Sequence, residues 1–240
     1  MPTEPFQLPI IIDLAAVFLM ALTGVIEAIR REFDLIGLFV LALATGVGGA
    51  LIRDGIFLHQ GIPAVLTDQR YLVAVALAGA AGLVFGARAV VSIKLIAWVD
   101  AAALGAYAVV GVQKSLDLGL GYAPAVLVGV VNACGGGVLR DLFTGERPMV
   151  FRPGQFYAFA ALIGCLIYVP LRLHTQTPPL GAAIAAIAVT FGLRVLAITF
   201  NWNTAPVRER GLLPLALPSK KRRKKDKAQT KAGKSSPPRP

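Results

Sequence analysis

Long apolar runs separated by short polar connectors organise this 240-residue chain. Seven windows, about 9–29, 35–58, 71–90, 95–113, 122–145, 155–172 and 179–200, each approach the roughly 20 apolar residues with which a helix crosses a bilayer. Between them lie connectors such as RREFD (30–34), TDQR (67–70), QKSLD (113–117) and RLHTQTPP (172–179), none long enough to be a soluble domain. The pattern predicts an all-α integral membrane protein of seven transmembrane helices. The opening MPTEPFQLPIII lacks the positive region of a signal peptide and carries Asp13 inside its apolar stretch, so a retained first span is expected.

The windows repeat. A shift of 87 residues lays Asp13–Asp54 on Asp100–Asp141 without a gap, with ten identities in 42 positions. The telling match is GGALIRD against GGGVLRD. At a shift of 85, Pro63-Ala-Val-Leu then meets Pro148-Met-Val-Phe. Each copy holds three spans, an odd number, so the second enters the membrane from the opposite side. The expected organisation is two inverted three-helix repeats, 1–94 and 95–175, a seventh helix within 176–205, and a terminal tail, 206–240. Inverted repeats place a site near the midplane at their interface, commonly on interrupted helices.

Candidate chemistry gathers where the copies agree. Gly48 and Gly49 in the second span, and Gly135, Gly136 and Gly137 in the fifth, weaken a helix and can free carbonyls at depth. Close packing through small residues is the plainer reading of one such cluster. Its recurrence in both copies, each time before Arg-Asp, favours a break. Arg53/Asp54 and Arg140/Asp141 follow about one turn later. Charges inside a bilayer are costly and usually face a partner or a polar path, and inversion makes them two charged constrictions on opposite sides of one midplane. Asp13 and Asp100 cap or pair with these arginines, or offer cation sites, and the two roles can coexist. Thr45 and Asn132, equivalent in the repeat, supply neutral oxygens just before the glycines. Glu27 and Lys114 share a repeat position with opposite charge, so the two mouths of a pathway would differ electrically.

Charge sets the orientation. Positive connectors stay cytoplasmic; with the N-terminus outside, inner connectors hold Arg30, Arg31, Arg88, Lys94, Arg147 and Arg152, and outer ones hold Arg70, Lys114 and Arg172. Of the formal charge of +11, +10 sits in residues 206–240, so the basic character belongs to a disordered cytoplasmic tail that could touch anionic lipid headgroups. That run, SKKRRKKDKAQTKAGK, has no interleaved aromatics to stack bases, which argues against nucleic-acid binding. Cys134 and Cys165 fall in apolar stretches and suggest neither a disulfide framework nor a metal site. No nucleophile–base pair or phosphate loop is present, and His59 and His174 sit near span boundaries, so an enzyme is not expected and no cofactor or metal is called for. The expected location is a multi-pass position in the cell inner membrane.

The strings IDLAAVFLMALTGVIEAIRREFDLIGLFVLALATGVGGALIRD and VNACGGGVLRDLFTGERPMVFR resemble the bacterial branch of the trimeric intracellular cation (TRIC) channel family, earlier labelled glycine-transporter-like. The resemblance spans about residues 10–200. It implies a homotrimer in the lipid bilayer with one pore per subunit, conducting monovalent cations, chiefly potassium, along glycine-kinked second and fifth helices. The kinks carry over to Gly48/Gly49 and Gly135/Gly136/Gly137, and the adjoining pairs to Arg53/Asp54 and Arg140/Asp141. Ala50 stands where a third glycine would complete the first cluster, and the lysine motif of animal members is absent. Physically, a secondary carrier of a small zwitterion such as glycine is the competing reading, because an Arg beside a helix break could bind a carboxylate.

Overall fold

The computed structural model describes residues 8–59, 61–89, 93–152, 156–175, 177–200 and 202, with side chains described outside 86–95. The N-terminal residues 1–7, the basic tail with its anionic-lipid expectation, and the side chains of Arg88 and Lys94 lie outside the described residues. The helices are α1 (Ile10–Arg30), α2 (Leu35–Ile52), α3 (Gln69–Ala89), α4 (Ile93–Asp117), α5 (Tyr122–Phe143), α6 (Tyr157–His174) and α7 (Pro179–Thr199). Six are long and apolar enough to cross a membrane, and α3 contributes a shorter apolar stretch, Gln69–Phe85. The fold is two inverted three-helix repeats, α1–α3 and α4–α6, followed by α7.

Local chemistry starts and stops these helices where the polar connectors fall. Asp34 caps α2, its carboxylate accepting the Gly37 N–H at 2.7 Å, which satisfies a donor that a helix start leaves open. Pro179 opens α7 at a position where a missing N–H costs nothing. One connector does not exist as expected: QKSLD is the last turn and a half of α4. Several of its polar groups turn inward, with Gln113 donating to Asp117 at 2.6 Å and Ser115 to the Gly111 carbonyl at 2.8 Å.

Apolar side chains make up the outside as well as the core. Ile36, Leu35 and Val84 are exposed, whereas Arg53, Arg140, Asp13 and Asp100 are buried. An apolar exterior, with the few buried charges paired inside a mainly apolar core, is what lipid selects as solvent. α1 packs along α4 and α2 along α5, so the two repeats meet through equivalent helices, while α7 packs on α4 and α6.

The α2–α5 crossing shows the repeat at atomic scale. A methyl group on Gly49 would lie 2.3 Å from the Asn132 carbonyl oxygen, and one on Gly136 2.2 Å from the Thr45 carbonyl oxygen. Gly49 and Gly136 are repeat equivalents, as are Thr45 and Asn132, so each helix presses its glycine onto the same place in the other. The expectation of a break at the glycines is thereby corrected: both clusters lie in uninterrupted α-helix, and what their missing side chains provide is backbone contact between helices. Irregular winding comes one turn later in the first copy, where Arg53–Leu58 is π-helical and ends at His59 with φ 47°, whereas the equivalent Arg140–Phe143 stays α-helical. Single π turns of this kind concentrate at functional sites.

Candidate functional site

Each Arg-Asp pair is built by the turn that follows its glycines. Arg53 is fully buried and grips Asp54 with two parallel bonds, Nε to Oδ1 at 2.6 Å and Nη2 to Oδ2 at 2.9 Å. Its Nη1 reaches across to the Asn132 side-chain oxygen at 3.4 Å, and Asn132 in turn donates to the Tyr107 carbonyl at 2.6 Å. Asp54 also lies close to the backbone N–H of Ala64. In the second copy, Arg140 donates from Nε and Nη2 to Asp141 Oδ1 at 3.2 and 3.1 Å, while the Met149 N–H donates to Asp141 Oδ2 at 2.9 Å. Ala64 and Met149 are equivalents at the shift of 85 and open short helical turns, Ala64–Thr67 and Met149–Phe151. The Asp141 carboxylate is thus held between an arginine and the first N–H after a proline, and Asp54 stands in the equivalent place.

The remaining carboxylates part ways. Asp100 pairs with Arg140, Oδ1 to Nη1 at 3.0 Å, and the same nitrogen donates to Thr23 at 3.0 Å. Asp13 pairs instead with Lys114 at 3.3 Å and accepts the Tyr71 hydroxyl at 2.7 Å. The reason lies at the shared repeat position of Lys114 and Glu27: a lysine can satisfy the buried Asp13, whereas a glutamate could only repel Asp100, which leaves Asp100 to the arginine. The second site acquires its additional cation from α7. Arg194 is buried, its guanidinium carbon 4.9 Å from the centre of the Tyr157 ring and its Nη2 3.8 Å from the Met149 sulfur. Each site therefore sets two cations against two carboxylates, Arg53 and Lys114 with Asp13 and Asp54, and Arg140 and Arg194 with Asp100 and Asp141. Buried charges that balance locally avoid most of the cost of isolated ions.

Not every expected residue joins these sites. The Thr45 hydroxyl turns back onto its own helix, donating to the Leu41 carbonyl at 2.6 Å, so only Asn132 of that pair offers a side-chain oxygen to an arginine. Glu27 lies apart, at the end of α1, bonded to Arg30 at 3.1 Å and Arg31 at 2.8 Å. Arg31 continues to Glu146 at 2.6 Å and to the Thr144 carbonyl at 2.8 Å, a clamp between the end of α1 and the segment after α5. Donating to the Glu27 and Glu146 carboxylates raises the Arg31 pKa, and the Arg31 bond holds the Glu146 carboxyl below the usual glutamate range. His174 bonds and stacks with Tyr122 at a helix end. Cys134 and Cys165 are buried free thiols. Among the described residues no cluster of His, Cys, Asp or Glu could hold a metal ion.

Arg194, Tyr71, Tyr157, Thr23 and Tyr107 were not among the residues singled out from the sequence. Arg194 carried a signal, as the lone charge in the 179–200 window. Tyr71 and Tyr157 are related by a shift of 86, one step from the offset that aligns the prolines. Tyr107, whose hydroxyl donates to the Gly46 carbonyl, aligns with Met20 and carried none.

Known proteins resemble the chain over most of its length. A family model described as "Glycine transporter" matches residues 10–88 and 97–173, one match per repeat. A UPF0126 membrane protein of Deinococcus radiodurans is 35% identical over 198 residues, covering 82% of this chain and 90% of that protein. The UPF0126 inner membrane protein YadS of Escherichia coli K12 is 29% identical, covering 79% and 91% respectively. Among solved structures, the TRIC trimeric intracellular cation channel orthologue from Rhodobacter sphaeroides superposes with a TM-score of 0.73 at 30% identity, covering 80% of this chain and 97% of that one. A second structure, described under conductance through TRIC cation channels, gives 0.72 at 30% identity, covering 84% and 98%.

Proposed function

The chain belongs to the glycine-transporter (UPF0126) family of membrane proteins, the family that contains the TRIC channels, and from that premise we propose that it is a cation channel. In this reading it passes monovalent cations, potassium foremost, through one pathway in each subunit of a homotrimer, along α2 and α5. The observation that carries the reading is the pair of locally balanced charge sites, one turn beyond the glycines on each of two antiparallel helices. A guanidinium already held by its neighbouring carboxylate does not bar cations as a bare arginine would. Arg53, Asp54, Arg140, Asp141, Asp13, Asp100, Lys114 and Asn132 line the pathway, Thr45 through its carbonyl, with Glu27 at one mouth. Because the glycines hold α2 and α5 backbone to backbone, conduction requires the helices to part there, and Gly48, Gly49 and Gly135–Gly137 are the positions at which they can bend. Ions must bind weakly enough to leave again, which neutral flanking sites favour.

The protein sits in the inner membrane with its N-terminus outside, so that the Arg53 site faces out and the Arg140 site faces the cytoplasm. The carrier reading that the family description suggests needs an arginine able to receive a substrate carboxylate, and both arginines are committed to carboxylates of their own. The test is ion flux against glycine uptake in the same proteoliposomes. Potassium efflux without added amino acid supports the channel, and glycine accumulation that saturates with concentration would replace it with the carrier.

A further inference from the structure

The copies differ at one buried tyrosine. In the first copy, the Tyr71 hydroxyl donates to Asp13. In the second, its equivalent Tyr157 is 3% exposed with no hydrogen-bond partner for its hydroxyl, and Asp100 Oδ2 is likewise buried with none. Donor and acceptor of the same bond are both present and unjoined, although Asp100, Arg140, Arg194 and Cys134 all lie within electrostatic reach of that hydroxyl. Two such orphans are costly to keep, so something must hold them apart.

Two features present only in the second copy do so. The first is a notch. Gly137 stands where the first copy has Ala50, and a methyl group on Gly137 would lie 2.7 Å from the Tyr157 hydroxyl oxygen, so the hydroxyl occupies space that alanine fills in the first copy. The second is Arg194 over the ring face, 4.9 Å from its centre, an attraction that strengthens where water is excluded. It comes from α7, which has no counterpart in the first repeat.

We propose that Arg194 is a positioning residue that, with the notch at Gly137, holds Tyr157 away from Asp100, and that on release the Tyr157 hydroxyl donates to Asp100 as Tyr71 does to Asp13. The released bond draws on the charge of the carboxylate that Arg140 holds through its other oxygen, which makes α7 a control on the second charge site. That link to conduction rests on the channel reading, whereas the placement of Tyr157 does not.

The test uses the full-length protein in lipid vesicles with Cys165→Ala, leaving Cys134 as the one thiol, and follows its labelling by a membrane-permeant maleimide. Cys134 is buried on α5 beside this cluster, and departure of the ring from the notch opens space next to it. Arg194→Gln and Gly137→Ala should each raise the labelling rate at least about fivefold, the lower end of typical coupling between sites. Arg194→Lys, which keeps a cation over the ring, should remain near the parent rate. In a Tyr157→Phe background, Arg194→Gln should lose its effect, because the released state no longer gains the bond to Asp100. An equal increase with and without the hydroxyl, an Arg194→Lys rate matching that of Arg194→Gln, or no response to Gly137→Ala would overturn the proposal. Potassium current in the same variants should change in step; absence of current in the parent would defeat the channel reading while the labelling pattern still decides the placement of Tyr157.

Discussion

Gly49 meets the backbone of Asn132 so closely that a β-carbon on it would lie 2.3 Å from the carbonyl oxygen, and this contact orders the glycine positions by tolerance. Backbone cannot step aside, so Gly49→Ala and its equivalent Gly136→Ala should each cost about 1–3 kcal/mol, the usual penalty for overpacking. Gly48→Ala meets only the end of Leu139, which can rotate, and should unfold within a degree or two of wild type. Thermal unfolding in detergent, followed by circular dichroism, separates the two classes.

Removing either buried arginine should cost stability. Arg53→Gln strands Asp54, and breaking a buried pair from one side typically costs about 3–5 kcal/mol. Arg140→Gln strands Asp100 and Asp141 together and should lower the melting temperature further. Arg53→Met combined with Asp54→Asn should recover most of the loss, since no ion is then left alone. The same unfolding assay reads this series, and an Arg53→Gln protein as stable as the double variant would show that the pair is not buried as described.

Lys114→Gln leaves Asp13 and Asp54 facing Arg53 alone, so the first site gains a net negative charge. A change of about 1 kcal/mol in the local potential is modest for a pair a few Å apart at an effective dielectric near ~20, and corresponds to about a fivefold effect. Single-channel current in potassium should rise by about that order for entry from the Arg53 side. Unchanged current would remove Lys114 and Asp13 from the pathway.

Much of this architecture was legible in the sequence, and what was not has identifiable causes. The windows located the helices within a few residues because lipid demands long apolar runs, and the doubled GG-x-x-x-R-D announced the repeat. What the glycines do was misread, since local helix weakness and close approach of a second helix leave the same mark in sequence; only the carbonyls of Asn132 and Thr45 distinguish them. The helical last turn of α4 was hidden because Gln113, Lys114 and Ser115 read as a polar connector until their partners are known. Arg194 lies on α7, outside the repeat, so no equivalent position points to it.

Acid should loosen the clamp at the end of α1. The Arg31 bond lowers the Glu146 pKa, so Glu146 contributes above the unfolded glutamate value of about 4.3 and loses its contribution only as pH falls through its lower folded value. The Arg31 contact should therefore survive titration from neutral pH through that ordinary range. Comparing the acid unfolding profile of Glu146→Gln with wild type checks it: the substitution should remove a component below about pH 4.3 and leave the profile above it parallel.

The most direct measurement of the central claim is single-channel recording of the purified protein in a planar bilayer across a potassium chloride gradient. The account predicts discrete current steps whose reversal potential lies toward the potassium equilibrium potential, with Asp141→Asn altering their amplitude. A reversal potential toward chloride, or potassium movement without unitary steps, would contradict it.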